Sequence, residues 1–318
     1  MTGRISRLDW VLFFTLALVW GSSYLFIKIG IESLSPLTLI ACRLGIATLI
    51  LGIVLAVGRE ALPRSRGIYL RLVVMALLNI VMPFSLIAWG EHYIDSGLAA
   101  VLQAVTPLFT LILAALILDD ERITVNRLVG LAVGFGGVIV LVSRSLGGPT
   151  GDQAGLGDLA LVGSSAAYAA GNVFVRSQLR GLGPVVPAFF QVSIAFVIIA
   201  SLGLVFEQPI RLPSRPEAIL AVVWLGVLGS ACAYLIYFRL VHRLGPTRLS
   251  LITYLMPIVG VSLGVAVLGE RVDGRVFVAA ALILAGVALV NVRLGRVRAG
   301  RPAQVAVAAP SEPGEDRA

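Results

Sequence analysis

Ten long apolar runs, separated by charges or by Pro and Gly clusters, follow one another along this chain. They lie at about 10–30, 36–57, 69–90, 96–118, 127–143, 158–176, 184–206, 218–239, 246–268 and 276–293. A helix needs about 20 mainly apolar residues to cross about 30 Å of hydrocarbon. The pattern therefore predicts an all-α integral membrane protein with ten transmembrane helices. Composition agrees: 58% of residues are apolar before the 34 glycines are added, and 13% are charged, against about 25% charged in a soluble chain. The first run continues to Ile29, which reads as an uncleaved span rather than a secretory signal.

Lys and Arg number 25 against 17 Asp and Glu, a net charge of +8, with an isoelectric point near 10.2. In a soluble chain that balance suggests a nucleic-acid partner. Here the positions of the charges decide otherwise. With the N-terminus taken as cytoplasmic, 18 of the basic residues fall in cytoplasmic segments and 6 on the opposite side, leaving Arg43 inside the second run. Positive charges near span ends stay on the cytoplasmic side. Both termini are therefore expected inside, and the charge records orientation with no nucleic acid involved.

The two halves of the chain overlay. At an offset of 148, Trp20 falls on Tyr168, Tyr24 on Asn172, Lys28 on Arg176, Pro36 on Pro184 and Arg43 on Gln191. Gln103 and Pro107 fall on Thr253 and Pro257 at 150, and Glu121 and Arg122 on Glu270 and Arg271 at 149. Small drifts of this kind are what loop insertions produce between repeats. The expected organisation is a first five-span repeat over 1–143, a flexible linker over 144–157, a second repeat over 158–293, and a disordered cytoplasmic tail over 294–318. Five spans is an odd number, so the second copy crosses the membrane in the opposite sense. Inverted repeats of this kind serve alternating access in secondary transporters.

Trp20-Gly-Ser-Ser-Tyr24 in the first span, Pro36 to Arg43 opening the second, and Pro107 in the fourth with Glu121 after it resemble the EamA-type drug/metabolite transporters. So do their second-half counterparts, and the resemblance covers about residues 10 to 293. It implies a carrier in the inner membrane of a bacterium, usually an exporter of small metabolites such as amino acids or related compounds. It also implies that spans 1–4 and 6–9 surround a central cavity, with spans 5 and 10 outside. Gln191 departs from the pattern, since the second copy lacks the arginine of the first.

Several residues are candidates for the substrate pathway. Pro107 and Pro257 have no N–H to bond the carbonyls of Gln103 and Thr253, and in lipid a freed carbonyl must find a neighbour or face a cavity. Two related polar patches on a pathway are one outcome, and a packing kink with Gln103 bonded to the next helix is the other. Pro83 likewise releases Asn79, and Gly226, Gly229 and Ser230 could loosen the eighth span instead. Arg43, about seven residues in from Pro36, lies about 10 Å deep, where it either attracts an anionic substrate group or bonds carbonyls. Trp20, Tyr24, Phe84, Trp89, Tyr168, Tyr234 and Tyr254 suit an amphipathic substrate or else face lipid. Asn172 and Gln191 complete the set as repeat-mates of Tyr24 and Arg43.

All 17 acidic residues fall in tails, loops or span ends, so no carboxylate is expected at mid-membrane to couple an ion. Glu91 beside His92 is the nearest candidate, and a solvated loop is the expectation for the pair. Gly130, Gly134, Gly136 and Gly137, with Ala285 and Gly286, read as close-packing positions. Cys42 and Cys232 read as small buried hydrophobes. No Gly-x-Ser-x-Gly or His-Glu-x-x-His motif is present, and Lys28 is the sole lysine, so neither an embedded enzyme nor a phosphate-binding loop is indicated. No cofactor or metal is expected. The expected partners are a small-molecule substrate and the lipid bilayer, and the oligomeric state, a homodimer among the options, is left open.

Overall fold

Small polar residues and prolines at the edges of the apolar runs start the helices. The Ser6 hydroxyl accepts from the Asp9 N–H while the Asp9 carboxylate accepts from the Ser6 N–H, a capping box that opens α1 (Arg7–Ile31). Pro36 starts α2 (Pro36–Gly58) and Pro216 starts α8 (residues 216–244), positions where the absent N–H has no helical partner to lose. Between them run α3 (Arg66–Gly90), α4 (Ser96–Ile117), α5 (Val125–Leu146), α6 (Gly151–Gln178) and α7 (Val185–Phe206). The last two are α9 (Ile252–Leu268) and α10 (Gly274–Asn291).

This computed structural model describes residues 6–59, 62–118, 124–146, 151–178, 183, 185–210, 212–244, 249 and 252–291. Among them there are ten long helical rods and no strand. Seven, α1 to α5 with α7 and α8, are long and apolar enough to cross a membrane, and α9 and α10 are shorter apolar helices. Leu49, Ile53, Val57, Leu116, Ile139, Val205 and Phe206 stand exposed on the outside of the bundle. So much uncovered apolar surface is stable against lipid and not against water. The chain is a multi-pass membrane protein.

Two boundaries differ from the sequence reading. Of the stretch 144–157 expected as linker, the described residues are helical, with α5 running to Leu146 and α6 beginning at Gly151. The extension of α6 has a packing cause: Gly157 lies so close to α3 that a methyl group on it would come 3.0 Å from the Gly90 carbonyl oxygen. Helical order there fixes α6 against α3, which a flexible linker could not do. The ninth helix is described from Ile252, with Leu249 before it also helical, and 246–248, where that span was expected to begin, lie outside the described residues. Expectations placed on Glu121, Arg122, Pro184 and the tail 294–318 lie outside them as well.

Helix α1 is the most enclosed of the seven apolar rods, packing against α8, α9 and the first half of α4. Across the bundle α6 packs against α3 and α4, α2 against α7 and α8, and α7 against α3. Helices α5 and α10 pack chiefly on each other. Gly286 fixes that contact, because a methyl group on it would fall 2.5 Å from the Gly134 nitrogen and 2.6 Å from the Gly130 oxygen, both backbone. Gly136 has open space around it and Ala285 is exposed, so these two do not serve the close packing expected of them. They lie on helix faces turned away from the seam.

Three rods are irregular at mid-length. Helix α3 widens to a π-helix over Leu77–Val81, and α8 does so over Trp224–Cys232, at corresponding places in the two halves. Helix α4 breaks at Ala104–Val105, between Ser96–Gln103 and Thr106–Ile117. Such interruptions in a helix are frequent at functional sites, and all three adjoin the residues considered next.

Candidate functional site

Arg43 is the centre of the site. It is 3% exposed on α2, with Nε and Nη2 donating to the Ser230 hydroxyl at 3.3 and 3.1 Å. The guanidinium carbon stands 4.3 Å from the centre of the Phe84 ring, a cation–π contact of about 1–2 kcal/mol once water is excluded. Tyr168 of α6 and Tyr234 of α8 lie within electrostatic reach of the charge. Among the described residues the other N–H groups of the guanidinium have no hydrogen-bond partner. Arg43 is thus held at one edge and retains donors that a carboxylate or carbonyl could occupy in a fork geometry.

The π segment of α8 makes this possible. Gly226 lets α2 approach so closely that a methyl group on it would lie 3.0 Å from the Arg43 carbonyl oxygen and 2.8 Å from Ile46. One turn on, Ser230 is buried beneath the guanidinium. Helix α1 closes the other side through Trp20-Gly-Ser-Ser-Tyr24. Trp20 meets Tyr237 with ring centres 5.5 Å apart, and Gly21 packs against Met256 and Val259 of α9. Ser22 accepts from the Trp224 indole at 3.1 Å, while Tyr24 is buried. Each residue of the motif contributes a contact to α8, α9 or the core.

The Pro107 break is filled from within the protein. The freed Gln103 carbonyl accepts from the Thr106 hydroxyl at 2.8 Å. The Gln103 amide oxygen accepts from Ser164 of α6 at 3.3 Å, and Ser165 donates to the Leu102 carbonyl at 3.2 Å. Here the packing kink is what is built, with Gln103 bonded to the adjacent helix. Pro257 sits inside α9 with no break, and Thr253 and Tyr254, in its first turn, are half-buried. Asn79, in the α3 π segment, presses on Gly171 of α6, where a methyl group would fall 1.9 Å from its oxygen. Gln191 is buried on α7, and Asn172 is exposed one turn along α6 from Tyr168. Trp89 is also exposed, edge-on to Tyr93, a belt position.

The structure thus gathers Arg43, Phe84, Tyr168 and Tyr234, with Tyr24 within electrostatic reach of Tyr168. Cys42 and Cys232 are free and half-buried.

A second group of polar contacts, not foreseen from sequence, ties the bundle at the end where Lys28 lies. The Lys28 ammonium donates to the carbonyl oxygens of Glu91 and Ile94, the latter at 2.7 Å. Glu207, just past α7, accepts from the Leu37 and Thr38 N–H groups at 2.9 Å each and from the Thr38 hydroxyl at 3.0 Å. Glu270 does the same for α4: Oε1 accepts from the Ser96 N–H and hydroxyl, both 2.7 Å, and Oε2 from the Gly97 N–H at 2.9 Å. Gly269, at φ +67, turns the chain back, and Gly264 leaves room, since a methyl group on it would lie 2.2 Å from Glu270 Oε2. Each carboxylate caps a helix distant in sequence, where first-turn N–H groups and the helix dipole favour an anion.

Glu91 corrects the sequence reading. Expected in a solvated loop, it is fully buried at the end of α3, and neither carboxylate oxygen has a hydrogen-bond partner among the described residues. The Lys28 bonds fold the loop inward, and Gly90 lies against Leu161 and Ala160 of α6. Burial pushes the Glu91 carboxyl well above the usual carboxylate range, with Lys28 and Arg43 opposing and Glu270 reinforcing the shift. His92 beside it is exposed. The acid that Arg43 lacked in the sequence is therefore present within electrostatic reach of it.

Relatives bear on what this bundle is. The chain is 31% identical over 277 residues to the inner membrane transporter YedA of Escherichia coli K12, itself named as uncharacterized, covering 86% of this chain and 87% of that one. It is 25% identical over 297 residues to a probable amino-acid metabolite efflux pump of the same organism, covering 89% and 94%. A solved crystal structure shares the fold, with a TM-score of 0.63 at 22% identity over 90% of this chain and 96% of that one. The sequence pattern of the EamA-like transporter family matches residues 9–143 and again residues 155–292. The chain belongs to the EamA-like transporter family.

Proposed function

We propose that this protein is a secondary transporter, without enzymatic activity, that moves small organic metabolites, amino acids or related amphipathic compounds, outward across the inner membrane of a bacterium. All ten rods cross the bilayer, with both termini cytoplasmic, as two inverted five-helix repeats that work by alternating access. The packing pattern is the observation that carries this reading. Exchanging each helix for the one five places along turns α1–α9 into α6–α4, α1–α8 into α6–α3 and α2–α8 into α7–α3. The pairs α2–α7 and α5–α10 return to themselves. An arrangement that maps onto itself in this way has two nearly equivalent forms, one open to each side.

At the Lys28 end α1 packs on the first half of α4, and Lys28 bonds the carbonyls of Glu91 and Ile94 between α3 and α4. With the basic residues placing the Lys28 end outside, this is the form closed to the exterior. Arg43, with unfilled donors among aromatic rings, supports a substrate carrying a carboxylate next to an apolar body. The named efflux pump among the relatives supports amino-acid-like cargo and the outward direction.

The test is uptake of labelled amino acids and related metabolites into proteoliposomes, with and without a pH gradient. Saturable flux is expected, with accumulation against a gradient if an ion is coupled. Flux that rises linearly with concentration would rule out a carrier of these compounds.

A further inference from the structure

Most charged groups at the Lys28 end are engaged: Lys28 on carbonyls, Glu207 on α2, Glu270 on α4. Glu91 is the exception, buried at the centre of the tie with both oxygens unpartnered. An ionised carboxylate without a hydrogen bond in such a place is strongly disfavoured, whereas the neutral acid is tolerated. We propose that Glu91 is a proton-binding site of the transport cycle, holding a proton while the Lys28 end is closed and giving it to water on that side when the end opens. The proposal rests on the alternating-access reading above.

Opening that end must part α1 from the first half of α4, and so break the bonds from Lys28 to the Glu91 and Ile94 carbonyls. Two things then change at Glu91. Water reaches the carboxyl, and the Lys28 ammonium is released beside it. Both favour the anion, and an exposed glutamate ionises at about pH 4.3. At neutral pH the closed form is therefore protonated and the open form ionised, so closing takes up one proton from the medium on that side.

The other titratable groups around Glu91 do not substitute for it. Tyr24 and Lys28 of α1 face it, as do Arg43 of α2 and Glu270 beyond α9. On its own loop are His92 and Asp95, and α6 brings Asp158 next to the Gly157 that packs on Gly90. Lys28 and Glu270 have hydrogen-bond partners, Arg43 is bonded at one edge to Ser230, and Asp95 and Asp158 have partners too. Burial, then Lys28, lower His92 below its ordinary value, which leaves it neutral at pH 7.

The linkage has a definite sign. Between the open and closed pKa values, each unit of pH rise shifts the balance about tenfold toward the open form. Acid on the outer side therefore competes with substrate presented from that side. In proteoliposomes of defined orientation, the apparent half-saturation for outside substrate should rise up to about tenfold per unit as outer pH falls from 8 to 6. Glu91→Gln, which stays neutral, should hold the acid value at every pH. An unchanged pH dependence in that variant would overturn the proposal.

Infrared titration of the reconstituted wild type tests the site without transport. The C=O stretch of a protonated carboxyl should be present at pH 7, be lost on alkalinisation, shift in Glu91→Asp and vanish in Glu91→Gln. An ionised carboxylate at pH 7 would refute the site even if flux were normal. A protonated Glu91 in a protein without saturable flux would instead refute the transport reading and leave the proton site standing.

Discussion

Removing the Glu270 carboxylate should unfasten the first turn of α4. In Glu270→Ala the backbone N–H groups of Ser96 and Gly97 lose acceptors at 2.7 and 2.9 Å, and the Ser96 hydroxyl loses one at 2.7 Å. Hydrogen bonds to a charged acceptor contribute about 1.5–3 kcal/mol each. Glu270 is half-buried, so water replaces part of what is removed, and the lower figure for the two backbone donors gives about 3 kcal/mol. At 1.4 kcal/mol per tenfold this is about a hundredfold increase in local opening. Hydrogen exchange followed by mass spectrometry reads it directly, as loss of protection in the peptide covering 96–103, with the 252–268 peptide as an internal reference. Glu270→Gln keeps one acceptor oxygen but presents an NH₂ group to a donor, and should fall between wild type and alanine. A change of less than about threefold in the 96–103 peptide would show that Glu270 is not what holds α4.

Gly264→Ala should reproduce much of that effect by displacing the carboxylate, because its methyl group would lie 2.2 Å from Oε2, and the same peptide reads the result. Arg43→Lys keeps the charge but loses the planar overlap with Phe84 and one of the two bonds to Ser230. It should raise the half-saturation for transport about tenfold at unchanged expression, and normal kinetics would count against Arg43 as the anchor. Gln103→Ala and Thr253→Ala provide the complementary measurement: saturable transport unchanged in both would leave these proline-linked positions with a packing role only. Gly286→Val drives a branched side chain into the backbone at Gly130 and Gly134, at a cost of about 1–3 kcal/mol or more. A clear fall in the thermal midpoint in detergent is expected, and an unaltered midpoint would mean that the α5–α10 seam can open freely.

The helices were legible because lipid imposes a simple rule on sequence, about 20 apolar residues per crossing, and the boundaries moved only where packing adds information. Gly157 is one such place: its reason for being helical lies in Gly90, far away in the chain. The caps made by Glu207 and Glu270 were illegible for the same reason, since their partners are 170 and 174 residues away. A local signal did exist in each case, an acidic residue directly after an apolar run, set against a serine that opens another run (Ser35 and Ser96). Glu91 gave none. Its burial depends on a lysine 63 residues away bonding its backbone carbonyl, and a loop carboxylate beside a histidine looks solvated until that bond is known.

The repeat itself explains why Arg43 could be singled out but not interpreted. Duplication gives both halves the same frame of prolines and small residues, so whatever differs between the copies falls outside what the frame requires. Arg43 differs, with Gln191 in its place on α7. The structure adds that its partner differs too. Ser230 has no polar counterpart in the first half, where the matching stretch of α3 is Ile80, Val81 and Met82. The charge and its hydroxyl therefore meet across one of the two symmetry-related contacts, α2–α8, and are absent together from the other, α7–α3, although both copies build the same π irregularity around the place. If the arginine only braced the frame, the related α7–α3 contact would need an equivalent brace, and α7 packs on α3 without one. In the proposed alternating-access cycle the symmetric part of the molecule serves the motion. The asymmetric pair is where cargo would be distinguished, and this is why the Arg43→Lys kinetics separate a site from a scaffold.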